Sequence, residues 1–184
     1  IKNTLVSTAG CSSGPVTISL SFDGTKLPRV LSLNYTYNAI VGGAYPNHWI
    51  SVDGKDEEWI TAKLGSDSDI VRANEVKLAV VSVQRTKLSR PCFFTLSGQP
   101  QTINMSSTFN DAVTKLVINA SKETKMFDLA SVCTDGVGRD NKWILEQLYN
   151  FLCGKSRYVG SVDTNHNAKN SRYQVFGASS AVWI

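Results

Sequence analysis

The sequence predicts an α/β fold, in which antiparallel strands come first and alternating strands and helices follow around one mixed sheet. In the second half of the chain, apolar runs with strand composition alternate with amphipathic segments of helical spacing. In the first half, short strand-like segments are separated by glycine-rich turns. The 184 residues are 42% hydrophobic and 18% charged, which is ordinary for a globular domain of this class.

The first half predicts three strands and one helix. After an irregular lead-in over residues 1–15, an apolar run over 16–23 predicts the first strand. Alternation of apolar and polar residues over 26–38 predicts the second strand, and 48–52 predicts the third. The links between these strands are short, so we expect an antiparallel meander. Residues 56–64 begin with a capping acid and predict a helix.

The second half predicts units of strand and helix within a single domain over residues 16–184. The predicted strands are 75–83, 93–96, 129–135 and 158–163, and the predicted helices are 106–122, 140–153 and a last one that begins in 164–174. A mixed sheet in this order, with helices on both faces, is the layout of the ribonuclease H-like fold.

Composition excludes some classes of protein and leaves others open. A formal charge of +4 and a pI near 8.9 permit contact with nucleic acid without requiring it. Four widely separated cysteines disfavour a structural zinc site and favour a reducing, intracellular compartment. No apolar run approaches the roughly 18 residues that span a bilayer, so no membrane association is expected. The chain begins at Ile1 without Met, and we interpret it as a piece of a longer protein.

Three aspartates close three of the predicted strands, and they are the candidate catalytic residues: Asp23, Asp135 and Asp163. Neighbouring strands lie about 4.8 Å apart, so carboxylates at adjacent strand ends can share one or two Mg²⁺ or Mn²⁺ ions. A two-metal site would act on phosphodiester bonds. Asp23 and Asp135 are the expected metal ligands.

A structural reading of the same aspartates stays open. Asp-Gly pairs are common in turns, and an Asp after a strand often caps the next helix. Asp163 fits a structural cap as well as a catalytic role, and Asp53, which also ends a predicted strand, is interpreted as a turn residue. Lys169 and Arg172, on the helix expected after Asp163, suit DNA phosphates.

Three blocks resemble the catalytic domain of P-element-like, THAP-type DNA transposases. They are Phe22-Asp-Gly-Thr-Lys-Leu27, Thr134-Asp-Gly-Val-Gly-Arg-Asp-Asn-Lys-Trp143, and Val162-Asp-Thr-Asn-His-Asn-Ala-Lys-Asn-Ser-Arg172. The last block carries an Asp-x-x-His-x-x-Lys-x-x-Arg pattern and is the most specific. The resemblance covers roughly residues 16–174.

The resemblance implies a ribonuclease H-like fold with an acidic triad that binds two Mg²⁺ for DNA cleavage and strand transfer. By position, Asp23 and Asp135 match the first two acids of the triad, and the third acid would lie beyond Ile184. The resemblance also implies a nuclear protein, DNA as partner, homo-oligomerisation of the full-length protein, and either a mobile element or a domesticated one. The residues expected to contact nucleic acid are Lys26, His166, Lys169, Asn170 and Arg172.

Two alternatives remain open. One is a ribonuclease H-like module that binds DNA or protein without catalysis. The other is a haloacid-dehalogenase-like phosphatase, because Ile18-Ser-Leu-Ser-Phe-Asp-Gly-Thr25 resembles the first motif of that family. The nucleophilic Asp of that motif is replaced here by Ser21, which cannot form an aspartyl-phosphate.

Overall fold

The computed structural model describes residues 16–83, 92–102, 106–134 and 139–163. The elements in these ranges are, in chain order, β1 (Val16–Lys26), β2 (Ser32–Asn34), β3 (Ala39–Val41), β4 (Trp49–Ser51), α1 (Glu57–Leu64), β5 (Glu75–Val83), β6 (Cys92–Gln101), α2 (Ser106–Thr124), β7 (Phe127–Thr134), α3 (Arg139–Leu152) and β8 (Val159–Val162). The three helices predicted over 56–64, 106–122 and 140–153 are confirmed. No helix within the described ranges is long and apolar enough to cross a bilayer.

A five-stranded mixed sheet forms the centre of the molecule, in the order β6-β5-β1-β7-β8. β1 pairs antiparallel with β5 on one side and parallel with β7 on the other. The sheet therefore changes from antiparallel to parallel at β1, and the predicted mixed α/β sheet is confirmed. Parallel neighbours need a crossover connection, which α2 and α3 supply.

Both long helices cover the same face of this sheet. Alternate residues of β1, from Val16 to Phe22, are buried against them. The Phe22 ring meets Phe109 of α2 at 6.1 Å and Trp143 of α3 at 5.7 Å, both edge to face. Within the described residues, the expected helices on both faces are thus not seen for this sheet. The helix expected to begin in 164–174 lies outside those residues.

The predicted meander of the first three strands is wrong. Strands β2, β3 and β4 form a separate three-stranded sheet, which packs with α1 around its own apolar cluster. That cluster is centred on Leu31, Ile40, Val52 and Ile70. Because both edges of β1 are taken by β5 and β7, no edge is left for the segment that follows it.

β6 is much longer than the predicted strand over 93–96, since it continues through Gly98 and Pro100 to Gln101. Proline lacks the N–H that a central strand must donate, and this usually argues against a strand. β6 is an edge strand, however, so one missing donor is tolerated. The carbonyl of Pro100 also accepts a hydrogen bond from Tyr45 N at 2.8 Å.

Gly160 lets β8 lie directly against α3. A Cβ atom at this position would come within 2.8 Å of the Ile144 carbonyl oxygen and 2.9 Å of Gln147 Cβ. We therefore expect Gly160→Ala to lower the free energy of unfolding by about 1–3 kcal/mol, because the helix backbone must move. Urea denaturation measures this. Ser161→Ala, at the exposed neighbouring position, is the control and should change stability by less than about 0.5 kcal/mol; equal effects would contradict the packing argument.

Candidate metal centre

Three residues lie in one row across the parallel part of the sheet, and each is followed in the sequence by a candidate aspartate. Phe22 of β1 is the Cα partner of Thr134 of β7, and Thr134 is in turn the partner of Val162 of β8. These strands are parallel neighbours about 4.8 Å apart, so they end at the same edge of the sheet. The residues that directly precede the three aspartates thus lie side by side at this edge of the sheet.

Asp23 is exposed on the face of the sheet that points away from α2 and α3, because Phe22 before it points into the core. The described pairing with β7 extends to Phe22, and pairing with β5 continues through Asp23 to Lys26. The sequence predicted that Asp23 ends its strand, but β1 continues for three more residues, to Lys26.

Asp163 directly follows β8 and is half-buried. Its backbone N–H donates to the carbonyl oxygen of Thr134 at 2.8 Å, which extends the pairing of β7 and β8 by one bond. Along β8, Gly160 is buried and Ser161 is exposed, so alternation places Asp163 on the face that carries Asp23. Both readings of Asp163, catalytic and structural, are compatible with this position.

The other predicted site residues divide into two groups. Lys26 is exposed at the end of β1, in register with Glu75 of β5. Outside the described residues lie Asp135, His166, Lys169, Asn170 and Arg172. Among the described residues, no group of three or more His, Cys, Asp or Glu side chains is close enough together to hold a metal.

Small polar side chains line the same face of the sheet below Asp23. Ser19 of β1 and Ser131 of β7 are joined by a hydrogen bond of 2.8 Å between their hydroxyl groups. One step nearer the candidate site, Ser21 and Cys133 are Cα partners, and both are half-buried. The side chains that this stretch of β1 and β7 presents on the face of Asp23 are thus small.

Behind the sheet edge, on the helix-covered face, the sequence analysis missed a buried polar cluster. Lys77 Nζ lies 2.6 Å from Asp140 Oδ2, and the side chains are only 2% and 6% exposed. Asn110 Nδ2 donates to the other carboxylate oxygen of Asp140 at 3.1 Å. The available signal was the lysine itself, which occupies the first of the alternate buried positions that continue with Ala79, Val81 and Val83 on β5.

Asp53 behaves as the turn residue that the sequence suggested. Its carboxylate accepts hydrogen bonds from Ser51 Oγ at 2.7 Å and from Asn38 Nδ2. These two hydrogen bonds lower the pKa of Asp53 below its ordinary value of 3.8, and the bond from Ser51 has the larger effect. The chain turns directly afterwards at Gly54, whose φ of 69° suits glycine.

No protein-family model matches the sequence, and no curated protein matches it. Among solved structures, the Drosophila P element transposase strand transfer complex contains a chain of similar fold, with a TM-score of 0.50 and 14% sequence identity. The similarity covers 87% of this chain and 29% of that chain. This chain thus spans less than a third of the transposase chain, and at this identity the similarity concerns the fold alone.

Proposed function

We propose that this chain is part of the catalytic core of a DNA transposase, or of a protein derived from one, with a ribonuclease H-like fold. The observation that carries the proposal is the row of Phe22, Thr134 and Val162, each followed in sequence by an aspartate. The order of the five strands and the similarity of fold to the P element transposase chain support it. The proposed reaction is metal-dependent cleavage and strand transfer of phosphodiester bonds in DNA.

Oxygen donors at this edge of the sheet suit Mg²⁺ or Mn²⁺. Asp23 offers an exposed carboxylate, and Asp163 offers a second one on the strand beyond β7. In the proposal, Asp23 and Asp135 hold the metal ions, and Asp163 is an additional ligand. When bound, two such ions would stabilise the attacking and leaving oxygens of the phosphodiester.

DNA would reach the site over the face of the sheet that bears Asp23. The side chains of Ser21 and Cys133 on this face are small and half-buried, and the exposed Lys26 adds a positive charge at the end of β1. In the proposal, His166, Lys169, Asn170 and Arg172 contact the DNA backbone. The net charge of +4 favours an anionic partner but does not select DNA by itself.

A titration with Mn²⁺, followed by calorimetry or electron paramagnetic resonance, tests the proposal. We expect the wild-type chain to bind Mn²⁺, and Asp23→Asn and Asp135→Asn each to weaken binding by about tenfold or more, because each removes a charged ligand. Circular dichroism should show the fold retained. Asp128→Asn is the matched control: it removes an exposed aspartate at the opposite end of β7, and its affinity should equal that of the wild type.

Three other outcomes would contradict the proposal. Unchanged Mn²⁺ affinity in both Asn variants would remove the site assignment. A folded wild-type chain that shows neither metal binding nor stabilisation by metal would favour the non-catalytic module. Hydrolysis of a small phosphomonoester with Mg²⁺ would favour the phosphatase, although Ser21 stands where that family has its nucleophile.

A further inference from the structure

Lys77 is a charged residue in an apolar environment. It lies on the face of β5 that α2 and α3 cover, in line with the buried Ala79 and Val81, and is 2% exposed. Its ammonium group lies 2.6 Å from the carboxylate of Asp140, the second residue of α3. The negative charge of Asp140 is also favourable at this end of the helix, where backbone N–H groups lack partners within the helix.

Three elements meet at this ion pair. Lys77 belongs to β5, Asp140 to the first turn of α3, and Asn110 to the first half of α2. One oxygen of Asp140 accepts from Lys77, and the other accepts from Asn110 at 3.1 Å. The position of the start of α3 relative to the sheet is thus fixed by two directional contacts, which apolar packing alone does not provide.

The cluster lies beside the proposed metal site. Lys77 is the Cα partner of Gly24, which directly follows Asp23 on β1. Asp140 comes six residues after Thr134, the last residue of β7. The ion pair therefore ties the strand next to Asp23 to the helix that follows β7.

Stability does not explain why such a cluster is present. A buried ion pair must be desolvated, and hydrophobic residues of similar size often serve the folded state equally well or better. In addition, Asn110 Oδ1 and the neighbouring Thr114 Oγ1 are buried and have no hydrogen-bond partner among the described residues. Buried polar atoms without a hydrogen-bond partner lower the stability of the folded state. The cluster is therefore better explained by the relative position of β5, α2 and α3 that it fixes.

We propose that Lys77, Asp140 and Asn110 form a positioning cluster for the metal site. They fix the first turn of α3 against β5 beside Gly24 and so set the spacing of the strand ends that carry the metal ligands. The cluster does not touch the metal itself, because it lies on the helix-covered face whereas Asp23 lies on the other. This inference rests on the function proposed above.

The test replaces the ion pair by apolar residues of similar size, Lys77→Met together with Asp140→Leu. Urea denaturation should show this double variant folded and more stable than Lys77→Met alone, although the buried Asn110 amide loses the carboxylate to which it donates. Its Mn²⁺ dissociation constant, measured by calorimetry, should rise about tenfold or more, as for other residues that orient metal ligands. Asp140→Asn, which keeps the shape but removes the charge, should weaken Mn²⁺ binding less than the double variant does.

Val83→Ala is the matched control. Val83 is fully buried on the same face of β5, six residues from Lys77, so its truncation lowers stability without touching the cluster. Its Mn²⁺ affinity should equal that of the wild type. If the folded double variant also binds Mn²⁺ like the wild type, or if Val83→Ala loses as much affinity as it does, the positioning role is refuted. If Asp23→Asn binds Mn²⁺ as tightly as the wild type does, the proposed metal site is refuted, and this inference is refuted with it.

Discussion

Replacement of Lys77 by Met alone is expected to lower the free energy of unfolding by about 3–5 kcal/mol, because it leaves the carboxylate of Asp140 buried without its counter-charge. That carboxylate is only 6% exposed, so water cannot take the place of the ammonium group. The hydrogen bond from Asn110, a neutral donor, does not replace the positive charge. Urea denaturation followed by circular dichroism measures the loss.

A second ion pair in the same chain serves as the control. Lys63 Nζ lies 2.5 Å from Asp69 Oδ1, but these side chains are 29% and 74% exposed. Lys63→Met should therefore cost less than about 1 kcal/mol. Adding Asp140→Leu to Lys77→Met should recover most of the lost stability, since no buried charge remains. Equal losses for the two lysine variants would show that burial of the Lys77 pair has no energetic consequence.

The helices could be predicted from sequence because their signals are local. Asp56 accepts a hydrogen bond from Trp59 N at 2.8 Å, and this is the capping contact that its position before an acidic first turn suggested. In α3, Trp143 and Ile144 are buried, as the apolar spacing predicted, but Phe151 and Leu152, which the same spacing placed inward, are 41% and 73% exposed. Each of these features depends on residues only a few positions apart, so no knowledge of the tertiary structure was needed.

Strand partners could not be predicted in the same way. The alternation over residues 26–38 is compatible with any half-buried strand, and it does not state which edge the strand will join. Only the structure shows that β5, which begins 49 residues after Lys26 in the sequence, takes the edge of β1 that the meander would have used. The length of β6 was missed for a related reason, because Pro100 excludes a strand only if that strand is central.

The candidate site lies between these two cases. Each aspartate was found from a local signal, an apolar run that ends in an acid. Their convergence depends on register, which is a property of strand pairs. The register places the residues just before the three aspartates next to one another, as expected if the aspartates lie close together. These residues are Phe22, Thr134 and Val162. The metal ligands themselves stay a prediction, and Lys77 was missed because its partner Asp140 is 63 positions away.

Phe22→Ala is the second substitution with a large expected effect. Phe22 is 1% exposed and is the shared contact of α2 and α3, through Phe109 and Trp143. Removing its ring should lower the free energy of unfolding by about 3–5 kcal/mol, from lost burial and the cavity left behind. Urea denaturation measures this loss, and a loss below about 1 kcal/mol would contradict the central role of this ring.

Phe22→Leu keeps the measurement possible if the Ala variant does not fold, because it retains most of the apolar volume and should cost less than about 1.5 kcal/mol. Phe93→Ala is the control, since Phe93 is also a strand phenylalanine but is 66% exposed on the edge strand β6. It should change stability by less than about 0.5 kcal/mol. We expect the loss of free energy of unfolding to be largest for Phe22→Ala, smaller for Phe22→Leu and smallest for Phe93→Ala. This order would support a central role of the Phe22 ring in packing both helices on the face opposite Asp23. If Phe93→Ala cost as much as Phe22→Ala, the stability of the sheet would not depend on this contact.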